Sequence, residues 1–287
     1  MPAMLHTPVG PVSYAVSGPT DSGRPDLVLV HGWCCDRSVM APLAEHFSRG
    51  HRVALLDLRG HGASLESDDD GSTGVGLARP GESDALVPPP LREVTIADYA
   101  RDVLGVCRAA RLRSPVVIGH SMGGLVALEA LRGTTGAGSL PRGAVLLDPA
   151  PVLNPRGKQM WTDSAPEIAR DHSGAWRRSF FDGLFLPTDR VGRDRLPELA
   201  AAVPATIAAA AARAMAGFDG ERALRELTVP LLVLHAASVE RGLREAAPDR
   251  SLVTTGQTVG AGHFHHLEVP EQVIPMVERW LATTFGS

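Results

Sequence analysis

The chain has 287 residues, enough for one large α/β domain or for a core carrying a smaller insert. Hydrophobic residues make up 44% and charged residues 21%, and the net charge of −4 comes with no dense Lys/Arg cluster, which argues against a nucleic-acid partner. No apolar run approaches the ~20 residues of a membrane span, and Met1 to His6 lacks a secretory pattern. Cys34, Cys35 and Cys107 form no disulfide framework, so reduced thiols and a cytoplasmic location are expected.

In chain order, Pro11 to Ser17 alternates as a strand should, and a Gly/Pro/Asp/Ser turn follows at 18–23. Asp26 to His31 and Arg52 to Asp57 are unbroken apolar runs, the pattern of strands covered on both faces. Val39 to Ser48 between them reads as helix. From Glu66 to Arg92 the composition turns to Asp, Gly, Ser and Pro without periodicity, which fits a surface insertion or a lid. Thr95 to Arg111 has helical spacing of Ile96, Tyr99, Val103, Val106 and Cys107. Strands are then expected at 116–119, Gly143 to Asp148, Val229 to His235 and Leu252 to Val259, with a last helix over Glu271 to Phe285.

The stretch from Val152 to Phe218 breaks this alternation with helix formers and five aromatic side chains, Trp161, Trp176, Phe180, Phe181 and Phe185. The prediction is therefore α/β: a doubly wound, mostly parallel sheet built from 1–151 and 219–287, with 152–218 as a helical cap over the edge where such sheets bind ligands.

Gly119-His120-Ser121-Met122-Gly123-Gly124 sits between a predicted strand and a predicted helix. That is the context of a nucleophile elbow, in which a sharp turn exposes the serine hydroxyl beside a helix N-terminus. A serine needs a base, and His263, in the small-residue turn Gly260-Ala261-Gly262-His263, is the strongest candidate. The histidines at 263, 265 and 266 could instead be surface residues or zinc ligands, but no further ligand run accompanies them. An oxyanion hole needs two preorganised N–H groups. Met122, directly after the serine, and Trp33, after the strand ending at His31, are the expected donors.

With His31-Gly32-Trp33, the Asp57 to Ser64 segment, the 119–124 elbow, Val229 to His235 and Gly260 to His263 in this order, the chain resembles the α/β-hydrolase fold family. The resemblance implies a Ser-His-acid triad, a cap and no cofactor. The acid departs from the usual pattern. Where most of the family carries an aspartate after the penultimate strand, this chain has Val239, with Glu240 one position late. A minority, similar to the zearalenone-type lactonases, take the acid from the strand after the nucleophile, where Asp148 stands. Asp148 is preferred, with Glu240 the alternative.

The expected activity is hydrolysis of a bulky apolar carboxylic ester or lactone, with Trp33, Trp161 and Trp176 contacting the substrate and no metal. Two further enzyme readings share the triad: C–C bond hydrolysis and perhydrolysis resembling the cofactor-free haloperoxidases. A ligand-binding protein on the same fold would require a lost triad member.

Overall fold

Short runs of Val, Leu and Ile without alternation suit strands buried on both faces, and the computed structural model places them so. It describes residues 2–8, 10–65, 93–132 and 141–286; the Glu66 to Arg92 stretch lies outside them. Among the described residues one sheet holds eight strands: β1 (Ala3–Thr7), β2 (Gly10–Ser17), β3 (Leu27–Val30), β4 (Val53–Leu56), β5 (Val116–His120), β6 (Gly143–Leu147), β7 (Leu231–His235) and β8 (Val253–Gln257). Their order is β1-β2-β4-β3-β5-β6-β7-β8, antiparallel where β2 meets β1 and β4 and parallel elsewhere. Every residue of β3, β5, β6 and β7 is buried.

Two local differences from the sequence reading have simple causes. The first strand, β1, has no fully buried residue and pairs only with β2, so its residues carry no buried-run signal. The helix expected over Val39 to Ser48 divides into a 3₁₀ turn, Arg37–Val39, and α1, Ala41–Phe47. Asp36 accepts the Ser38 N–H at 2.8 Å and starts the 3₁₀ turn, and Pro42 follows at the opening of α1.

The register brings the strand ends that matter to one edge. His120 lies opposite Leu147, and Leu147 opposite Leu234. The ladder then continues past the strands: Ser121 N–H donates to the Leu147 carbonyl at 3.0 Å and Asp148 N–H to the Leu234 carbonyl at 2.7 Å. Helix α2 (Ile96–Ala109) and α3 (Met122–Ala130) pack against each other, and α3 starts at the residue after Ser121.

Between β6 and β7 the chain forms α4 (Pro155–Arg170), α5 (Ala175–Asp182), α6 (Leu196–Ala202) and α7 (Ala205–Ala216). Ala208 to Ala212 of α7 are fully buried, and their small side chains let α4 lie directly against it. No single helix among the described residues is long and apolar enough to cross a membrane.

Candidate active site

Ser121 occupies φ 53°, ψ −119°, a conformation side-chain-bearing residues rarely adopt. The turn closes so tightly that a Cβ on Gly119 would come within 2.0 Å of the Gly123 carbonyl oxygen, which explains the glycine there. Cys34 and Asp148 also have positive φ, at 52° and 40°. Three of the five non-glycine residues in this region among the described chain thus stand at adjoining ends of β3, β5 and β6, the clustering of strain expected at a functional site.

Asp148 and His263 meet there. His263 Nδ1 lies 2.6 Å from Asp148 Oδ2, and the Ala236 N–H donates to Oδ1 at 2.9 Å. Burial works against ionising this carboxyl, but the His263 hydrogen bond and charge together with the Ala236 amide outweigh it and hold the group below the usual carboxylate range. With Nδ1 committed to a carboxylate, the proton-accepting nitrogen of His263 is Nε2. The backbone around it is fixed as well: the His263 carbonyl accepts from His120 Nε2 at 3.0 Å.

The alternative acid is employed elsewhere. Glu240 accepts the N–H groups of Val152, Leu153 and Asn154 at 2.9, 2.6 and 2.5 Å, tying the loop after β7 to the approach of α4. Val239, the residue before it, is 48% exposed.

The loop after β3 lies against the serine, since a Cβ on Gly32 would be 3.0 Å from the Ser121 Cβ. His31 sets the orientation of the Gly32–Trp33 peptide. Leu58 N–H donates to His31 Nε2 at 2.9 Å, so the ring proton is on Nδ1, which donates to the Gly32 carbonyl at 2.9 Å. In a trans peptide the Trp33 N–H points the opposite way. Burial pushes His31 down to about 4, which keeps this ring a neutral donor–acceptor pair. Met122 supplies a second amide as the opening residue of α3.

A cavity of about 290 Å³ is lined by Ser121, His263 and Asp148 on the sheet side and by Trp33, Met160, Trp161, Phe180, Phe181, Leu184 and Phe264 among its apolar residues. Trp33 is central to its wall. Its indole N–H donates to the Ala208 carbonyl at 2.8 Å, and its ring lies 5.0 Å from Trp161 and 5.6 Å from Phe180 in edge-on contacts. Trp176 was expected on the substrate but does not line the cavity. It sits one helical turn before Phe180 on α5 and stacks behind that ring at 5.3 Å, so Phe180 presents the aromatic face instead. Met160 and Phe264 give no chemical signal in sequence beyond their apolarity.

The neighbouring histidines point to hydroxyl and carbonyl partners. His265 shares a hydrogen bond with Thr258 Oγ1 at 2.9 Å and His266 with the Val39 carbonyl at 3.1 Å. Burial pushes these rings down to about 4 and about 3, and burial with His266 and His263 nearby pushes His120 well below the usual histidine range. No group of three or more His, Cys, Asp or Glu among the described residues is arranged to hold a metal. Cys35, on the cavity wall, has burial as the main cause of a thiol far above its ordinary range, so it is no nucleophile at neutral pH.

Comparison with known proteins agrees with this architecture. The pimeloyl-[acyl-carrier protein] methyl ester esterase of Xylella fastidiosa (strain M23) is 27% identical over 286 residues, covering 90% of this chain and 96% of that protein. Among solved structures, a hydrolase from Pseudomonas aeruginosa PA01 superposes with a TM-score of 0.76 at 20% identity, covering 98% of each chain. The enol-lactonase from Burkholderia xenovorans LB400 gives 0.75 at 18%, covering 98% of this chain and all (100%) of its own. Residues 27–276 match the alpha/beta hydrolase family, and the chain belongs to it.

Proposed function

We propose that this protein is a serine hydrolase that cleaves a carboxylic ester or lactone carrying a bulky apolar group. The observation that carries the reading is the 2.6 Å contact between His263 Nδ1 and Asp148 Oδ2 beside a cavity that Ser121 also lines. Support for the substrate class comes from the aromatic wall and from similarity to a methyl ester esterase and an enol-lactonase. The segment 152–218 acts in this reading as a cap that closes the apolar side of the pocket.

In the reaction, Ser121 Oγ attacks the carbonyl carbon while His263 Nε2 takes its proton. Asp148 holds the imidazole orientation and stabilises the imidazolium without itself taking the proton. The Trp33 and Met122 N–H groups, with the α3 N-terminus behind them, stabilise the oxyanion. Collapse breaks the bond to the alcohol oxygen, which leaves with the proton from His263. Water then gives its proton to His263, its oxygen attacks the acyl-enzyme, and Ser121 Oγ leaves protonated.

The test is turnover of p-nitrophenyl esters of increasing chain length, beside a set of macrocyclic lactones, with an active-serine phosphonate as a label. Ser121→Ala should lose about 10⁴-fold or more in kcat and take no label. Near-normal ester turnover by that variant would overturn the mechanism, and a wild-type chain that neither labels nor turns over would favour a binding protein.

A further inference from the structure

The loop that carries His263 is held at its backbone amides by the helical segment. Asp189, only 2% exposed, accepts the Gly262 N–H at 3.0 Å on Oδ2 and 3.3 Å on Oδ1. The same Oδ2 accepts the Leu186 N–H at 2.8 Å, which folds the 186–189 turn onto itself. The next amide of the loop, that of His263, donates to the Leu184 carbonyl at 3.0 Å. Glu268 closes the seam from the other side by accepting the Arg190 and Val191 N–H groups at 2.9 and 2.7 Å.

The fit leaves no slack. A Cβ on Gly262 would lie 2.6 Å from both Asp189 Oδ2 and the Leu184 carbonyl oxygen, so only glycine allows the two segments to come this close. A buried carboxylate is costly to a fold unless its oxygens are fully used, and a buried apolar residue would fill the space at less cost. What the carboxylate supplies here is direction: it fixes the amide one residue before the imidazole. Beyond it, the peptides on either side of His263 are anchored by its N–H on the Leu184 carbonyl and by the His120 bond to its own carbonyl.

We propose that Asp189 is a positioning residue for His263, through which the helical segment sets the placement of the imidazole between Asp148 and Ser121. The proposal rests on His263 being the base. Because both oxygens face the Gly262 N–H, Asp189→Asn turns an N–H donor toward that amide in either orientation and weakens the anchor.

The experiment measures p-nitrophenyl butyrate kinetics and phosphonate labelling of Ser121 for wild type, Asp189→Asn, Asp189→Glu and Gly262→Ala, at a temperature where circular dichroism shows each folded. A misplacement of this kind predicts a fall in kcat and in labelling rate of roughly 10- to 100-fold for Asp189→Asn, with KM nearly unchanged. Asp189→Glu should recover part of the loss. Gly262→Ala, which pushes on the same contact from the loop side, should reproduce the kcat loss. Folded variants with wild-type kcat, or with a loss confined to melting temperature or KM, would overturn the proposal. A wild-type chain that neither hydrolyses the ester nor labels would overturn the hydrolase reading along with it.

Discussion

The loops after β6 and β7 pose the same problem and solve it oppositely. Each follows a fully buried strand at the same sheet edge, and each brings a carboxylate to one cavity. Asp148, directly after β6, sits at φ 40° with its oxygens on the His263 ring and the Ala236 amide. Glu240, five residues beyond the end of β7, places its oxygens on three consecutive amides at 152–154. The identity of the residue does not decide which carboxylate serves the imidazole. Position relative to the strand end does: directly after β6 the side chain meets the His263 ring, and five residues beyond β7 it meets the 152–154 amides.

The largest effect that can break this comparison is on kcat. Asp148→Asn should cost about 10⁴-fold, since the amide favours the wrong His263 tautomer while leaving the geometry in place. Ester kinetics at neutral pH check it, and a loss below about tenfold would remove Asp148 from the proposed triad.

The next effect separates the carboxylate-backed ring from its buried neighbours. Burial is the main cause that pushes His31 and His265 down to about 4 and His61 and His266 down to about 3. These rings stay neutral when folded but protonate below about 6.5 when unfolded. Stability should therefore fall as pH drops from 6.5 toward 4, by up to about 1.4 kcal/mol per pH unit for each ring. Asp148 acts in the same direction but in a lower window: its stabilisation is present above the ordinary carboxylate value of 3.8 and is lost only below it. Urea unfolding at pH 7 and pH 5 measures the difference, and equal stabilities would contradict it.

Substrate selection gives a smaller effect. Trp161→Ala should raise KM for a long-chain ester by about 10-fold, the worth of part of a buried side chain, and change acetate ester kinetics less. Trp176→Ala, one ring removed from the cavity, should change both less than Trp161→Ala. Chain-length series of p-nitrophenyl esters read this directly. The smallest change in activity belongs to Glu240→Gln: a stability loss of roughly 1–3 kcal/mol from weakened amide bonds, a melting temperature several degrees lower, and kcat close to wild type.

The strand runs, the elbow and the His263 turn were legible because each is a local pattern with one physical solution. A double-faced apolar run must be buried, and small residues around Ser121 must make a sharp turn. Which acid meets His263 was not legible from spacing alone. It depends on the β5–β6–β7 register and on a positive φ at Asp148, both set by tertiary contacts. The exposure of Trp176 and Phe180 was hidden for a related reason, as two rings one turn apart share a helix face and only packing decides which reaches the cavity. Asp189 gave no signal at all, because its partners are backbone amides that any residue but proline at 186 and 262 would supply. The glycine at 262 was the one visible trace of that contact.

The central claim is that the carboxylate after β6, not the one after β7, stands behind His263 in catalysis. Its most direct test is the ratio of kcat for Glu240→Gln to kcat for Asp148→Asn, measured on one p-nitrophenyl ester in one assay. A ratio of about 10³ or more is predicted; a ratio near one, or below it, would contradict the account.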